Sequence, residues 1–159
     1  MQFTIDLEKK FNFKKIKLDL HKELNDAGAV IKKDHFSRLE RGQGVSAPLK
    51  NLKDSTIASK GFDQILVHTG KMRNLILNRA NKNKQEITLH PGRKQKRNGV
   101  TNEEIGLFHQ TGAGKLPKRE WFGITKDAES KCLKLIELKI DRILNNAWRK
   151  YKPRNTYSK

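Results

Sequence analysis

What this chain of 159 residues lacks narrows its chemistry first. Its one cysteine, Cys132, has no partner for an intramolecular disulfide, which favours a reducing compartment. No apolar run approaches the roughly 18 residues that a membrane span requires, and no membrane partner is expected. The opening MQFTIDLEKKFNFKK sets acids ahead of its basic cluster and has no apolar h-region, so it does not read as a secretory signal. Acids are scarce as well. Seventeen Asp and Glu face 35 Lys and Arg, a formal net charge of +18. Such a charge attracts polyanions and acidic protein faces and says nothing about fold.

Catalytic patterns are also missing. His21, His35, His68, His90 and His109 are scattered, and no pair has zinc-ligand spacing near Cys132. GAGK at 112–115 is not continued by the Ser or Thr of a phosphate loop; Leu116 follows, and Pro117 comes two residues after Lys115. Most acids lie beside Lys or Arg in amphipathic stretches, where a solvated surface is the default. No catalytic residue, cofactor or metal site is assigned, and the chain is expected not to be an enzyme.

What is present is one domain's worth of apolar periodicity. A chain this long buries roughly two-thirds of its unfolded surface, enough for a single core. From Phe13, apolar residues at Ile16, Leu20, Leu24, Ala27 and Ile31 step by three and four, the stripe of a helix. Phe36 and Leu39 resume it slightly out of phase after Gly28. The stretch reads as one long helix with a soft point near Gly28, or as two helices. Residues 42–62 read as an ordered loop with a helical turn at Thr56–Lys60. Met72–Leu77 and the segment EITLH at 86–90, joined by a polar Asn-rich tract, read as an antiparallel hairpin. Ile105–His109 forms a compact apolar element, and Trp121 with Phe122 a short buried segment.

Thr125 is a plausible N-cap for a helix over 126–147, with Asp127 and Glu129 at its positive end. Its stripe Leu133, Ile136, Ile140 and Ile143 is expected to be buried, and Cys132 to be a core thiol. The fold class is α+β: a small, mostly antiparallel sheet packed with the N-terminal and C-terminal helices. Residues 1–148 make the single domain, with a basic loop at 91–101, and 149–159 a basic tail.

Two tracts concentrate the charge. Arg93, Lys94, Lys96 and Arg97 give net +4 within 93–97, and Arg149, Lys150, Lys152, Arg154 and Lys159 give net +5 within 149–159. Tyr151 and Tyr157 are interleaved in the second, a composition that suits backbone contacts plus base stacking. These residues are the candidates for contact with DNA or an acidic partner, the competing reading being solvated surface.

One block resembles a known family. Ile105-Gly106-Leu107-Phe108-His109-Gln110-Thr111-Gly112, followed by Leu116-Pro117-Lys118-Arg119-Glu120-Trp121-Phe122-Gly123-Ile124, resembles the core motif of the phage virion morphogenesis and tail completion family. Upstream, Pro48-Leu49-Lys50 to Ser55-Thr56-Ile57 and Lys60, then Leu66 to Thr69-Gly70-Lys71-Met72, resemble two further segments of it, in the same order. Leu107 and Phe108 depart from the Tyr-Ala that relatives often carry. The resemblance implies a non-enzymatic assembly subunit of a phage or prophage particle, a tail terminator or head–tail joining protein. It implies a homo-oligomeric ring, tail-tube and connector or neck proteins as partners, and residence in the host cytoplasm and then at the virion neck or tail end; non-specific contact with DNA stays one of the readings of the basic tracts. The motif residues His109, Gln110, Gly112, Pro117, Arg119, Trp121, Phe122, Gly123, Thr69 and Gly70 carry over as structural positions. Arg119 is expected to brace the Gly-rich loop through backbone carbonyls or through Glu120 or Glu104. The alternative reading is a small basic nucleic-acid-binding protein, supported by charge and the two tracts.

Overall fold

The computed structural model describes residues 18–66, 70–92 and 99–151, apart from the side chains of Lys150 and Tyr151. The start of the first stripe at Phe13 and Ile16, Val67 to Thr69, Arg93 to Asn98 and residues 152–159 lie outside them. Among the described residues the chain is α+β, with four helices and one two-stranded antiparallel sheet.

Helix α1 spans His21–Glu40 without interruption, so the two-helix alternative at Gly28 is not realised. Gly28 is buried where the helix crosses the sheet. A Cβ there would lie 2.7 Å from Leu77 Cδ1 and 3.2 Å from Ile87 Cδ1. The glycine costs about 1 kcal/mol of helix propensity relative to alanine and permits this close approach. Helix α2, Asp54–Lys60, begins ahead of the turn expected at Thr56; it puts Asp54 in its first turn, and Gly61 closes it in the left-handed region at φ 78°.

Strands β1 (Ile76–Asn78) and β2 (Thr88–His90) pair antiparallel with Leu77 opposite Leu89, as the hairpin reading requires. Asn81 Oδ1 organises the connection by accepting from the backbone of Asn83 and Lys84, each at 2.9 Å. Asn25 of α1 fastens the end of β1, donating to Ala80 O at 3.0 Å and accepting from Ala80 N at 2.9 Å.

The apolar element at Ile105–His109 is part of helix α3, Asn102–Thr111. A capping box starts it: Thr101 Oγ1 accepts from Glu104 N at 3.2 Å, and Glu104 Oε2 accepts from Thr101 N at 2.7 Å. Helix α4, Lys126–Tyr151, starts at Thr125 as expected, with Ala128 N donating to Thr125 Oγ1 at 3.2 Å. It continues past Trp148, so the segment read as a tail from residue 149 begins as helix.

Helix α4 runs antiparallel to α1. Lys139 pairs with Glu23 at 3.0 Å, and Cys132 Sγ sits 3.6 Å from Ala27 O. Ala27 and Ala128, both buried, let the two backbones close up. The predicted burial of the α4 stripe needs correction. Leu133 is 52% exposed, and Ile136, Ile140 and Ile143 are half-buried. The reason is geometric: the contacts to α1 run through Cys132 and Lys139, with Ala128 buried, and leave Leu133 and Leu138 to solvent. Cys132 is likewise half-buried, and burial raises its thiol pKa.

The core lies elsewhere. Leu39, Leu49, Ile65, Met72, Leu75 and Trp121 cluster between the C-terminal half of α1, the 42–66 loop region and the segment after α3.

Candidate functional site

The residues of the resembled motif converge on one place, where the segment 117–123 threads between α3, α1 and the loop at 44–52. Trp121 is its anchor. The ring is 3% exposed, and its Nε1–H donates to Gly106 O at 2.8 Å. Gly106 exists for this contact, because a Cβ would stand 2.6 Å from Trp121 Cζ2. Phe122, expected to be buried with Trp121, is 40% exposed; one side of its ring packs on Trp121 at 5.4 Å and edge-on to His35 at 6.2 Å, and its backbone is held. Gln110 Nε2 donates to Phe122 O and Gln110 Oε1 accepts from Phe122 N, both at 3.1 Å. The side-chain amide thereby serves as a strand neighbour for an unpaired stretch of backbone.

Arg119 is buried, and its role differs from the expected one. Its Nε donates to Lys50 O at 2.9 Å and its Nη2 to Asn51 O at 3.2 Å. The guanidinium braces the 48–52 loop, not the Gly-rich loop, and pairs with neither Glu120 nor Glu104. Those two acids are engaged locally, Glu120 with Lys118 at 2.8 Å and Ser46 at 2.8 Å, Glu104 in the capping box. The Gly-rich loop is tied instead by backbone: Arg119 N donates to His109 O at 2.8 Å. Gly112 caps α3 in the left-handed region at φ 75°, where a Cβ would press to 2.9 Å on Lys118 N. Pro117 is half-buried just ahead of this contact.

Positive charge predominates around Arg119, with Asp63 opposing it at Lys60. Burial, and then the Arg119 charge, lower the pKa of His109, so its imidazole is neutral and Nδ1 lies 3.5 Å from Arg119 Nη1. Burial, and then Arg119, also lower the pKa of Lys60, whose Nζ donates to Gln64 O at 2.6 Å and lies over the Phe62 ring. Burial lowers Arg119 itself. The carbonyls of residues 50 and 51 are what make this cluster tolerable.

Two further residues belong to the site and were not singled out from sequence. His35 is 1% exposed, edge-on to Trp121 at 5.5 Å, with Nε2 against Met72 O at 2.9 Å. Arg38, 4% exposed, donates from Nε to Asp34 at 2.8 Å and from Nη2 to Gly123 O at 3.1 Å. Gly123 itself passes so close to Val45 that a Cβ would meet Cγ2 at 2.9 Å. The helix period marks the face of each, His35 falling midway between Ile31 and Leu39 and Asp34–Arg38 being an i,i+4 pair, but not the distant segment that meets it. Desolvation lowers the His35 pKa, with the Met72 carbonyl opposing it.

Other sequence candidates are not drawn in. Gly70 adopts φ 73° at the turn before Met72, away from the brace, and Thr69 lies outside the described residues. So do Arg93, Lys94, Lys96, Arg97, Lys152 and Arg154; Arg149 is exposed on α4 and the Lys150 side chain is not described. Among the described residues, no three His, Cys, Asp or Glu come together as a metal-binding group, and no helix is long and apolar enough to cross a membrane. No protein-family model, curated protein or solved structure matches this chain.

Proposed function

We propose that this chain is a non-enzymatic assembly subunit of a tailed phage or prophage particle. It acts in tail completion or head–tail joining, as part of a homo-oligomeric ring at the virion neck or tail end. The observation that supports this reading is where the motif's polar atoms point. Arg119, Gln110 and the Trp121 indole all bond to backbone, tying the 48–52 loop, α3 and the 117–123 segment into one brace. A motif used wholly to hold shape suits a subunit whose task is to present surfaces to neighbours. The partners are further copies, tail-tube proteins and connector or neck proteins.

The test is a deletion of the reading frame in a phage or inducible prophage that encodes it, complemented from a plasmid. Electron microscopy of the lysate is expected to show filled heads beside unjoined or overlong tails, restored by complementation. Normal particles from the deletion reject the reading.

A further inference from the structure

The flank of α1 and strand β1 enclose an open groove of about 750 Å³. Phe36, Leu75 and Leu77 give it an apolar floor, and Lys32, Lys33 and Arg79 stand at its rim. No β2 residue lines it, so β1 presents to the groove the edge that β2 leaves unpaired. No backbone hydrogen bond of Ile76, Leu77 or Asn78 leads outside the hairpin among the described residues. An edge of this kind is a template for another strand. It is also rigidly mounted, by Leu77 against Gly28 and by Asn25 on Ala80.

The rim charges decide what kind of strand fits. Arg73, beside the same Phe36 ring at 4.7 Å, is paired with Glu40 at 3.6 Å. Lys32, Lys33 and Arg79 form no ion pair among the described residues. We propose that this groove receives an extended, acidic peptide segment of a partner protein, added as a third strand along β1. Its backbone satisfies the edge that is unpaired among the described residues, its apolar side chains enter the floor, and its carboxylates reach the three cations. The groove is part of the fold, so this contact does not depend on the chain serving particle assembly.

The test uses the full chain and a fluorescein-labelled peptide, Glu-Ile-Glu-Val-Glu-Ile-Thr, followed by fluorescence anisotropy. Saturable binding is expected at about 50 mM salt and at least about tenfold weaker binding at about 500 mM. A Lys32→Glu, Lys33→Glu double variant, on exposed helix positions and checked for fold by circular dichroism, is expected to lose it. So is a peptide of the same charge with alternate backbone amides N-methylated. The proposal is overturned by no saturable binding, by an unaffected double variant, or by equal binding of the methylated peptide, which reduces the contact to charge attraction. It is equally overturned if single-stranded DNA binds more tightly than the peptide and displaces it through the same two lysines, which assigns the groove to phosphate.

Discussion

The brace around Trp121 and the α1–α4 helix pair hold the molecule together in opposite ways. In the brace, short irregular segments bury Trp121 and Leu49 to 5% exposure or less, and the Trp121 indole and Arg119 guanidinium tie these segments with directional bonds to backbone. In the helix pair, the most regular apolar stripe of the chain buries only Ala128 fully, while Leu133, Leu144 and Trp148 remain 52%, 43% and 56% exposed. Periodicity measures how much a helix could bury. What it does bury depends on how many neighbours reach it, and among the described elements α4 packs chiefly against α1.

The comparison breaks most visibly at Trp121. A Trp121→Ala substitution removes the anchor and the indole's bond to Gly106 O, and is expected to cost about 3–5 kcal/mol in chemical denaturation. A loss below about 1 kcal/mol would move the centre of stability to the helix pair.

Arg119→Lys comes next. Lysine keeps the charge but cannot reach two carbonyls with a planar fork, so about 1.5–3 kcal/mol should be lost. Amide exchange is expected to quicken across residues 49–57 while α4 keeps its protection; unchanged exchange there would remove Arg119 from the brace.

Acid separates the two regions by chemistry. The folded state depresses the pKa of His35 and of His109, mainly by burial, with Arg38 adding to the effect at His35 and Asp34 and the Met72 carbonyl opposing it. The unfolded chain therefore takes up protons first. The stability these groups confer is complete above the usual imidazole value of about 6.5 and is lost as pH falls through the lower folded values. Denaturation midpoints measured between about pH 7.5 and 5 should fall, and a His35→Gln variant should fall less. Equal slopes in the two proteins would clear His35 of that role.

The smallest effects belong to α4. Ile140→Ala should cost about 1–2 kcal/mol, below the range of a fully packed site, because the side chain is half-buried. Leu133→Ala should stay within about 0.5 kcal/mol. A loss of several kcal/mol at Leu133 in the isolated chain would mean that this flank is covered in solution.

Much of the architecture was legible because its causes are local. Thr125 with Asp127 and Glu129 marks the start of α4, and the alternation of EITLH opposite Leu75 to Leu77 marks the hairpin. The Thr101–Glu104 capping box also lies in the spacing of TNEE, although the helix it starts was read only as an apolar element. What escaped was relational. His35 looks like any polar residue in a helix until Trp121 and Met72 close over it, and Arg38 until Gly123 arrives from far along the chain.

The residues of the 105–124 block were recognisable as a motif from their types and order, and the physical role of Gly112 as a left-handed cap follows from its lack of a Cβ. Sequence by itself determined the start of α4 at its Thr125 cap, the charge and the period of each stripe, since these rest on neighbours within a few residues. Only the tertiary structure decided that Arg119 holds the 48–52 loop, that Gly28 continues a helix, and that Leu133 faces water. Each of those depends on a backbone carbonyl, a side chain or a helix brought in from a distant part of the chain, and no local propensity encodes which segment arrives.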